Sequence, residues 1–375
     1  MMCGFTFTVF LSAFQLLPTA PYRILALGGS TFASGLFLGF LTYASAFSAP
    51  LTGSLADRIG QRRVLLVTSI AITIFSLAYA VIGDYRLMLA LVLVHGVFWS
   101  ALLSASAAYL TNMLPERRRA EGVGYWGLSS VAAIGVAPPV GFWMLTLGWR
   151  ALCLESALLN VLMAAIAFSL PAQTSPARAP RPRARRQRVE WSVLVMSLTL
   201  FLYTFGYGGI TSFTALYADA NGVTPKGLYL TALAIVILVT RPLAGRLGDR
   251  LGYRRVLLPC LVLIAVGMGC LAVGGTRAWM LASAVIFGTG FGTAYPVFVA
   301  YVMQYVGPER RGAAFGAILA AFDTGIGTGS TSMGWIIGNY GFPSAFGTAA
   351  VLSVLALPYF LVADRIARPE PEPKA

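Results

Sequence analysis

The stretch Gly53-Ser-Leu-Ala-Asp57-Arg58-Ile-Gly60-Gln-Arg62-Arg63 has a similar copy later in this chain. It returns 192 positions later as Gly245-Arg-Leu-Gly-Asp249-Arg250-Leu-Gly252-Tyr-Arg254-Arg255. Two further pairs share an offset of 193: Pro115-Glu-Arg-Arg118 with Pro308-Glu-Arg-Arg311, and Gly148-Trp-Arg150 with Gly341-Phe-Pro343. Repeats at a constant offset indicate that two homologous units follow each other along the chain.

The composition is typical of a membrane protein. Of the 375 residues, 58% are hydrophobic and 11% are charged, and the mean hydropathy is +0.77. Soluble domains carry roughly 25% charged residues, and a helix that crosses a bilayer needs about 20 mainly apolar residues. Twelve apolar stretches of this kind lie near 1–22, 30–52, 64–83, 87–110, 122–146, 151–170, 191–216, 227–244, 256–274, 278–304, 312–337 and 343–363. Because these runs are continuous rather than alternating, they predict an all-α polytopic membrane protein instead of a barrel.

The repeat and the spans together predict two pseudo-symmetric six-helix halves, at 1–170 and 191–363. Proline and arginine dominate residues 171–190, so we expect a flexible cytoplasmic linker there. Residues 364–375 are expected to form a disordered cytoplasmic tail. The first residues are apolar without a basic region, which favours a first membrane span at 1–22 over a cleaved signal peptide.

The placement of the net charge of +14 indicates how the chain is oriented in the membrane. Of the 27 basic residues, 22 fall on one predicted side of the membrane, in groups at 58–63, 117–119, 178–188, 241–255, 310–311 and 365–374. Because cytoplasmic loops retain Lys and Arg, we expect both termini on the cytoplasmic side of a bacterial-type inner (plasma) membrane. Arg241 is assigned to the inner rim, as an anchor of the second motif. The expected partners are a small-molecule substrate and the lipid bilayer, with no nucleic acid, and the protein is expected to be a monomer.

The sequence lacks the motifs that are typical of metal sites, of intramembrane enzymes and of ATP binding. The four cysteines form no CxxC pair and there is one histidine, so no metal site is expected. The sequence contains no HExxH, no GxSxG and no P-loop, which argues against an intramembrane enzyme and against ATP as the energy source. We therefore expect no cofactor, and an ion gradient, of protons by preference, to drive the protein.

The paired G-x-x-x-D-R-x-G-x-R-R motifs resemble the signature of the major facilitator superfamily, between its second and third and its eighth and ninth helices. The resemblance covers essentially the whole chain, and it implies two six-helix halves around a cavity that opens alternately to each side. It also implies a cytoplasmic gate, which comprises Gly53, Asp57, Arg58, Gly60 and Arg62 and a weaker copy at Gly245, Asp249 and Arg250. In the family, the counterpart of Asp57 latches onto the eleventh helix, because a carboxylate is stabilised at a helix N-terminus. A purely topological role for the arginines is the alternative.

The fifth span loosely resembles the antiporter motif of the same family. The residues that fit its spacing are Gly124, Ala133, Ala137, Pro138 and Gly141, although both alanines and Phe142 stand where the motif has glycine. Small residues at intervals of four are also ordinary helix-packing devices. The fourth span has Val92 where many proton-coupled exporters carry an arginine. The motif therefore favours efflux only mildly.

Ionisable residues at membrane depth cost at least ~2.5–3.5 kcal/mol each on insertion scales and are candidates for function. Asp323 lies near the middle of the eleventh span, in a Phe-Asp-x-Gly segment that resembles related exporters, and is the first candidate for proton coupling. Glu155 and His95 are the others. The structural alternatives are a hydrogen-bonded aspartate, a glutamate at the outer interface and a packed histidine.

Four residues are candidates to line the cavity, on the first, seventh and tenth helices: Gln15, Tyr203, Tyr207 and Tyr295. Aromatic rings beside isolated polar groups suit an amphipathic solute, and packing is the alternative for each. The sequence thus predicts a secondary transporter of a small organic solute, similar to proton-coupled sugar and drug exporters. An importer on the same fold, either a proton symporter or a uniporter, is the alternative, and an intramembrane enzyme is a remote one.

Overall fold

Gly60 and Gly252, which occupy the same place in the repeated motif, share one backbone conformation in the computed structural model. The structure describes residues 1–115, 119–171, 191–307 and 310–367. The φ and ψ angles are 95° and 131° at Gly60, and 86° and 133° at Gly252. Positive φ values of this kind suit glycine because it has no Cβ. Each glycine is the single residue between two helices, so the motif is helical on both sides of a sharp hinge rather than a loop.

The described residues contain ten helices before residue 310 and one long helical element after it. The ten are α1 Met2–Ala26, α2 Thr31–Ile59, α3 Gln61–Val81, α4 Tyr85–Met113, α5 Arg119–Thr146, α6 Trp149–Ser169, α7 Trp191–Ala220, α8 Leu228–Leu251, α9 Tyr253–Val273 and α10 Arg277–Met303. All ten contain a stretch long and apolar enough to cross a membrane. No strand occurs in the described part of the chain.

The last element, Arg311–Ala367, contains two membrane spans. It is 57 residues long, which is about 85 Å at the rise of an α-helix and far exceeds a hydrocarbon core of ~30 Å. Gly341 breaks it with φ 81° and ψ 173°, as Gly148 separates α5 from α6 with φ 112° and ψ 157°. We name the two parts α11 (311–340) and α12 (342–367). The predicted count of twelve spans is confirmed.

Each half has its own hydrophobic core. One cluster of buried residues extends from Phe5 to Leu170 and takes only Ile326 from the other half, and a second extends from Val193 to Ala363. The pairings are pseudo-symmetric: α1 packs on α5 as α7 packs on α11, and α2 packs on α4 as α8 packs on α10. The two halves meet chiefly where α2 contacts α11 and where α5 contacts α8.

The two ends of the bundle differ. We call the end that carries the Gly60 and Gly252 hinges the arginine end, and the other end, with the turns at 27–30 and 221–227, the far end. Near the far end, Gly35 of α2 accepts a hydrogen bond at its carbonyl oxygen from Ser330 Oγ of α11, at 2.9 Å. Near the arginine end, a Cβ added to Gly53 of α2 or Gly316 of α11 would meet no atom within 4 Å. The halves are therefore closed at the far end and apart at the arginine end.

The C-terminal boundary requires a correction. The predicted tail began at residue 364, but α12 continues to Ala367. Asp364 is buried and forms an ion pair with Arg254 Nε at 2.9 Å, so an apolar count alone placed the end of the helix too early. The rest of the predicted tail, and the predicted linker from residue 172 onward, lie outside the described residues.

Candidate functional site

Asp323 lies at the seam between the two halves. It is the thirteenth residue of α11, about 18 Å along the helix axis. Its Oδ2 accepts a hydrogen bond from Ser45 Oγ of α2, at 3.2 Å. On the far-end side of it, the Tyr43 hydroxyl forms a second link between the halves with Thr328 Oγ1, at 2.7 Å. Because this carboxyl lies between the halves, a change in its protonation can alter the contact between them.

The predicted tyrosines form one aromatic wall beside this carboxyl. The ring of Tyr207 stacks on Phe291 at 4.5 Å between centroids, and Tyr203 meets the same phenylalanine edge-on at 6.1 Å. The ring of Tyr295 lies 4.9 Å from that of Phe322, the residue before Asp323. Tyr203 is fully buried and forms the back of the wall. The two phenylalanines were not predicted, because aromatic residues on a membrane helix give no separate signal.

Arg241 belongs to this wall and not to the second motif, which corrects its assignment to the inner rim. Its guanidinium interacts electrostatically with the hydroxyl groups of Tyr207 and Tyr295. The side chain is half-buried, and it has no hydrogen bond or ion pair among the described residues. Helical spacing was the available signal, because Arg241 lies four and seven residues after Ile237 and Ala234, on the interior face of α8.

A small pocket of ≈ 20 Å³ lies between the halves. Its walls come from α1, α5, α7 and α8, and they are almost wholly apolar. The lining residues are Phe14, Pro18, Ile134, Pro138, Tyr207, Thr211, Leu230, Leu233, Ala234 and Ile237. Ile237, one of these lining residues, is one helical turn before Arg241 on α8.

Gln15, Glu155 and Gly141 form a second group, within the N-terminal half. Gln15 Nε2 donates to Glu155 Oε1 at 3.2 Å, while Glu155 Oε2 is buried and has no partner in the described part of the chain. A Cβ added to Gly141 would come within 3.0 Å of Gln15 Cα, so this position of α5 allows α1 to approach closely. The structure thus brings together one residue from each of three predicted sets.

His95 lies away from both groups. It is buried between α3 and α4, with Nδ1 3.3 Å from the Tyr79 hydroxyl and its ring 5.2 Å from that of Phe75. This placement is within the core of the N-terminal half and separate from the wall that contains Asp323. Proton coupling through His95 stays a prediction without a contact that links it to the seam.

The predicted gate residues cluster at the arginine end. Asp57, Arg58 and Arg250 are exposed, and no hydrogen bond or ion pair joins the Asp57 carboxylate to another described residue. Arg62 donates to the carbonyl oxygen of Phe168, and Asp249 accepts from the Tyr253 hydroxyl at 2.6 Å. The latch between Asp57 and α11 stays a prediction, for a conformation in which this end is closed.

The residues of the antiporter-like motif lie in different surroundings along α5. A Cβ added to Gly124 would meet no atom within 4 Å, whereas Ala137 is fully buried. Pro138 lines the pocket, and its carbonyl carbon lies 3.3 Å from a Cβ added to Gly227. The small residues therefore serve the close approach of α5 to α1 and of α5 to the start of α8.

Comparison with known proteins agrees with this architecture. The sequence model of the Major Facilitator Superfamily matches residues 2–236 and 196–375, which together cover nearly the whole chain. The chain belongs to the Major Facilitator Superfamily. An uncharacterized MFS-type transporter of Burkholderia mallei is 24% identical over 334 residues, or 87% of this chain and 81% of the relative. The uncharacterized MFS-type transporter YhhS of Escherichia coli is 24% identical over 356 residues, or 92% of this chain and 86% of the relative.

Solved structures show the same fold at low sequence identity. A bacterial homolog of the human lysosomal transporter Spinster, in an inward-facing and unoccupied conformation, superposes with a TM-score of 0.80 at 15% identity over 99% of this chain and 98% of its own. The D-xylose-proton symporter gives 0.79 at 15% identity, over 96% and 95%. The nucleoside transporter NupG gives 0.76 at 15% identity, over 97% and 98%. The protein is thus a multi-pass membrane protein of a transporter family, and these similarities establish its fold.

Proposed function

We propose that this protein is a secondary active transporter that moves a small organic solute by alternating access, coupled to protons through Asp323. The single observation that carries the proposal is the bond between Asp323 and Ser45. It joins α11 to α2 at mid-depth, in the seam that must open and close during transport. Loss or gain of one proton there changes a contact between the halves as well as the charge of the cavity.

The distribution of charge supports an orientation. Most of the basic residues that the structure describes lie at the arginine end, and this end faces the cytoplasm under the positive-inside rule. With the halves apart at that end, the structure corresponds to an inward-facing state. The solute therefore reaches or leaves the aromatic wall of Tyr207, Phe291 and Tyr295 from the cytoplasmic side.

Efflux in exchange for protons is the first candidate for the direction, because α5 retains part of the antiporter-like pattern. Proton symport is the second candidate, and the unpaired Arg241 favours it. An anionic solute on this guanidinium and a proton on Asp323 bring no net charge when they bind together, so they are expected to move together. Reversal of the imposed pH gradient separates the two mechanisms.

The test is transport into proteoliposomes that contain the purified protein, with a pH gradient imposed in either direction. Pools of radiolabelled antibiotics, sugars, amino acids and siderophores are screened, and every hit is repeated with Asp323→Asn. Asp84→Asn is the matched control, since Asp84 is an exposed carboxylate at the N-terminus of α4.

Coupling through Asp323 predicts accumulation that collapses when the gradient is dissipated. It also predicts that Asp323→Asn lowers gradient-driven accumulation at least tenfold, while Asp84→Asn leaves it unchanged. Accumulation by Asp323→Asn at the wild-type level would contradict the coupling role. Equilibration that ignores both the gradient and the substitution would identify a facilitator instead.

A further inference from the structure

We propose that Glu155 holds a resident proton and that the protonated carboxyl forms a two-bond pair with the side-chain amide of Gln15. The pair joins α6 to α1 inside the N-terminal half. It is a second proton-binding site, apart from Asp323 in the seam, and its existence does not depend on transport.

The first step is the count of hydrogen bonds in the pair. Gln15 Nε2 donates to Glu155 Oε1 at 3.2 Å. The other oxygen of each group, Glu155 Oε2 and Gln15 Oε1, is buried and has no partner in the described part of the chain. An ionised carboxylate has no donor, so these two acceptors cannot bond to each other. A hydrogen on Glu155 Oε2 supplies the missing donor, and one bond from it to Gln15 Oε1 satisfies both atoms.

The second step is the source of neutralisation for the carboxyl. A buried carboxylate is ordinarily paired with a cation, and otherwise it takes up a proton. Neither of the two ion pairs of the described residues involves Glu155. Arg23 of α1 donates instead to the carbonyl oxygen of Ile82 at 3.1 Å, and its guanidinium lies 5.9 Å from the centre of the Trp149 ring. A proton is therefore the neutralising group that the surroundings leave for Glu155.

The helices that pack on α6 are α1, α3 and α5. The titratable residues of α5 lie at 119, 121 and 125, within its first two turns at the arginine end. Toward the far end, the remaining titratable side chains of these four helices form no hydrogen bond or ion pair with Glu155 among the described residues. They are Tyr22, Tyr79, Arg150 and Cys153.

The third step is the tight cover over the amide. Gln15 is fully buried. A Cβ added to Gly141 of α5 would come within 3.0 Å of Gln15 Cα and 3.1 Å of Gln15 Cβ, so the backbone of α5 lies directly against this residue. A bridging water needs space of its own and several polar partners, whereas a carboxyl hydrogen needs no added volume. The close packing therefore favours a proton over a water molecule as the missing donor.

The fourth step is the place of the pair in the fold. Gln15 and Glu155 belong to the same half, in which α1 packs on both α5 and α6. Rocking of one half against the other preserves contacts within each half. The bond between Asp323 and Ser45, by contrast, joins the two halves. We therefore assign a retained proton to Glu155 and the exchanged proton to Asp323.

The experiment is infrared spectroscopy of the detergent-purified full chain at neutral pH, where a protonated carboxyl gives a C=O band apart from those of carboxylates and amides. Spectra are recorded on Asp323→Asn, so that the carboxyl in the seam contributes nothing. We expect this chain to retain a protonated-carboxyl band and the added substitution Glu155→Gln to remove it. Asp84→Asn is the matched control, because Asp84 is an exposed carboxylate at the start of α4 and its loss should leave the band unchanged.

A second variant tests the bond to the amide. Gln15→Met keeps the carboxyl but removes the donor to its Oε1, so the band should remain and move to higher frequency. Glu155→Gln has the shape of the protonated side chain and can form the same two bonds, so it is expected to fold. If either variant fails to fold, labelling of glutamate with ¹³C in Asp323→Asn carries the test, and the band should move to lower frequency.

The inference would be overturned by the absence of a protonated-carboxyl band from Asp323→Asn. A band that survives Glu155→Gln, that stays in place in Gln15→Met or that does not move with labelled glutamate would also overturn it. The outcome is separable from that of the transport proposal. A protonated Glu155 in a protein without gradient-driven transport would contradict the transport proposal alone, and gradient-driven transport with an ionised Glu155 would contradict this inference alone.

Discussion

Gly35 and Gly53 lie on one face of α2, because their separation of eighteen positions makes about five helical turns, or about 27 Å. The same spacing separates Gly334 and Gly316 on α11. At the far end, a Cβ on Gly35 would collide with the backbone of Ser330, and one on Gly334 with the carbonyl oxygen of Thr31. At the arginine end, a Cβ added to Gly53 or Gly316 would meet nothing within 4 Å.

Under the proposed alternating access, this difference would let one pair of helices serve two states. Small residues let the backbones touch where the halves are closed. Glycine also occupies the corresponding positions on the open part of the same helix face. The hinge glycines and the glycines of the seam therefore have different uses. Gly60 provides a backbone conformation, whereas Gly35 and Gly53 provide room for a neighbouring helix.

The largest effect is expected at the arginine end. The two halves are apart there, but an ion pair joins helices within the C-terminal half. Asp364 of α12 pairs with Arg254 of α9 and accepts a hydrogen bond from the Tyr301 hydroxyl of α10. Removal of one partner of a buried ion pair costs about 3–5 kcal/mol. Because the Arg254 side chain is 43% exposed, we expect Asp364→Asn to lower the free energy of unfolding by about 3 kcal/mol, at the lower limit of that range.

Denaturant titration of the purified protein in detergent measures this loss. The exposed Asp249, at the same end of the bundle, supplies the control Asp249→Asn, for which we expect a loss below about 1 kcal/mol. Equal losses for the two variants would show that the buried pair does not hold α9, α10 and α12 together.

The second prediction concerns a substitution that should open the closed far end directly. Gly35→Leu places a side chain against the backbone of α11, so the far end should open. The reporter is a cysteine at Thr331, in the seam, in a chain whose four native cysteines are replaced, and its reaction with a membrane-impermeant maleimide is timed. We expect Gly35→Leu to speed the reaction at least tenfold.

Gly53→Leu is the matched variant at the open end of the same face. It should leave the far end closed and the reaction slow, since its side chain meets no neighbour in this conformation. It should also slow transport, because the arginine end can no longer close. A fast reaction in both variants, or in neither, would remove the distinction between the two ends of α2.

The smallest effect is expected at the outer margin of the closed end. Lys226 forms an ion pair with Asp219 at 2.9 Å, and its Nζ lies 5.0 Å from the centre of the Tyr22 ring in the other half. Both charged side chains are 40–47% exposed, and exposed pairs contribute about 0.2–1 kcal/mol. Lys226→Gln should therefore speed labelling at Thr331 less than about fivefold, and high salt should abolish the difference. The exposed Arg277, replaced by Gln, should have no effect.

The helical architecture could be predicted because its signals are local and repeated. The apolar runs, the duplicated motif and the offset of 192 to 193 residues specify the spans and the two halves without any tertiary contact. The hinge at Gly60 did not follow, because the apolar runs stop at residue 52 and resume at 64, whereas α2 continues to Ile59 and α3 begins at Gln61. The end of α12 did not follow, because an apolar count stops at Asp364 and a buried ion pair extends the helix beyond it.

The site could be predicted only in part, because a cavity depends on which helix faces meet. Asp323 stood out as a carboxyl in an apolar run, but its partner Ser45 is 278 residues away and is an ordinary residue in sequence. Arg241 was counted with the basic residues of the inner rim, since one sequence does not give the depth of α8 to within a turn. The pairing of Gln15 with Glu155 likewise needed the packing of α1 on α6.

The most direct test of the account is a pair of distances, one at each end of the α2–α11 seam. Spin labels at Ser30 and Asn339 report the far end, and labels at Ser54 and Arg311 report the arginine end; double electron–electron resonance is recorded in lipid at acidic and alkaline pH. The account predicts two populations in which a short distance at one end accompanies a long distance at the other, with proportions that shift with pH and stop shifting in Asp323→Asn. A single population at both ends under all conditions, or distances that lengthen together, would contradict it.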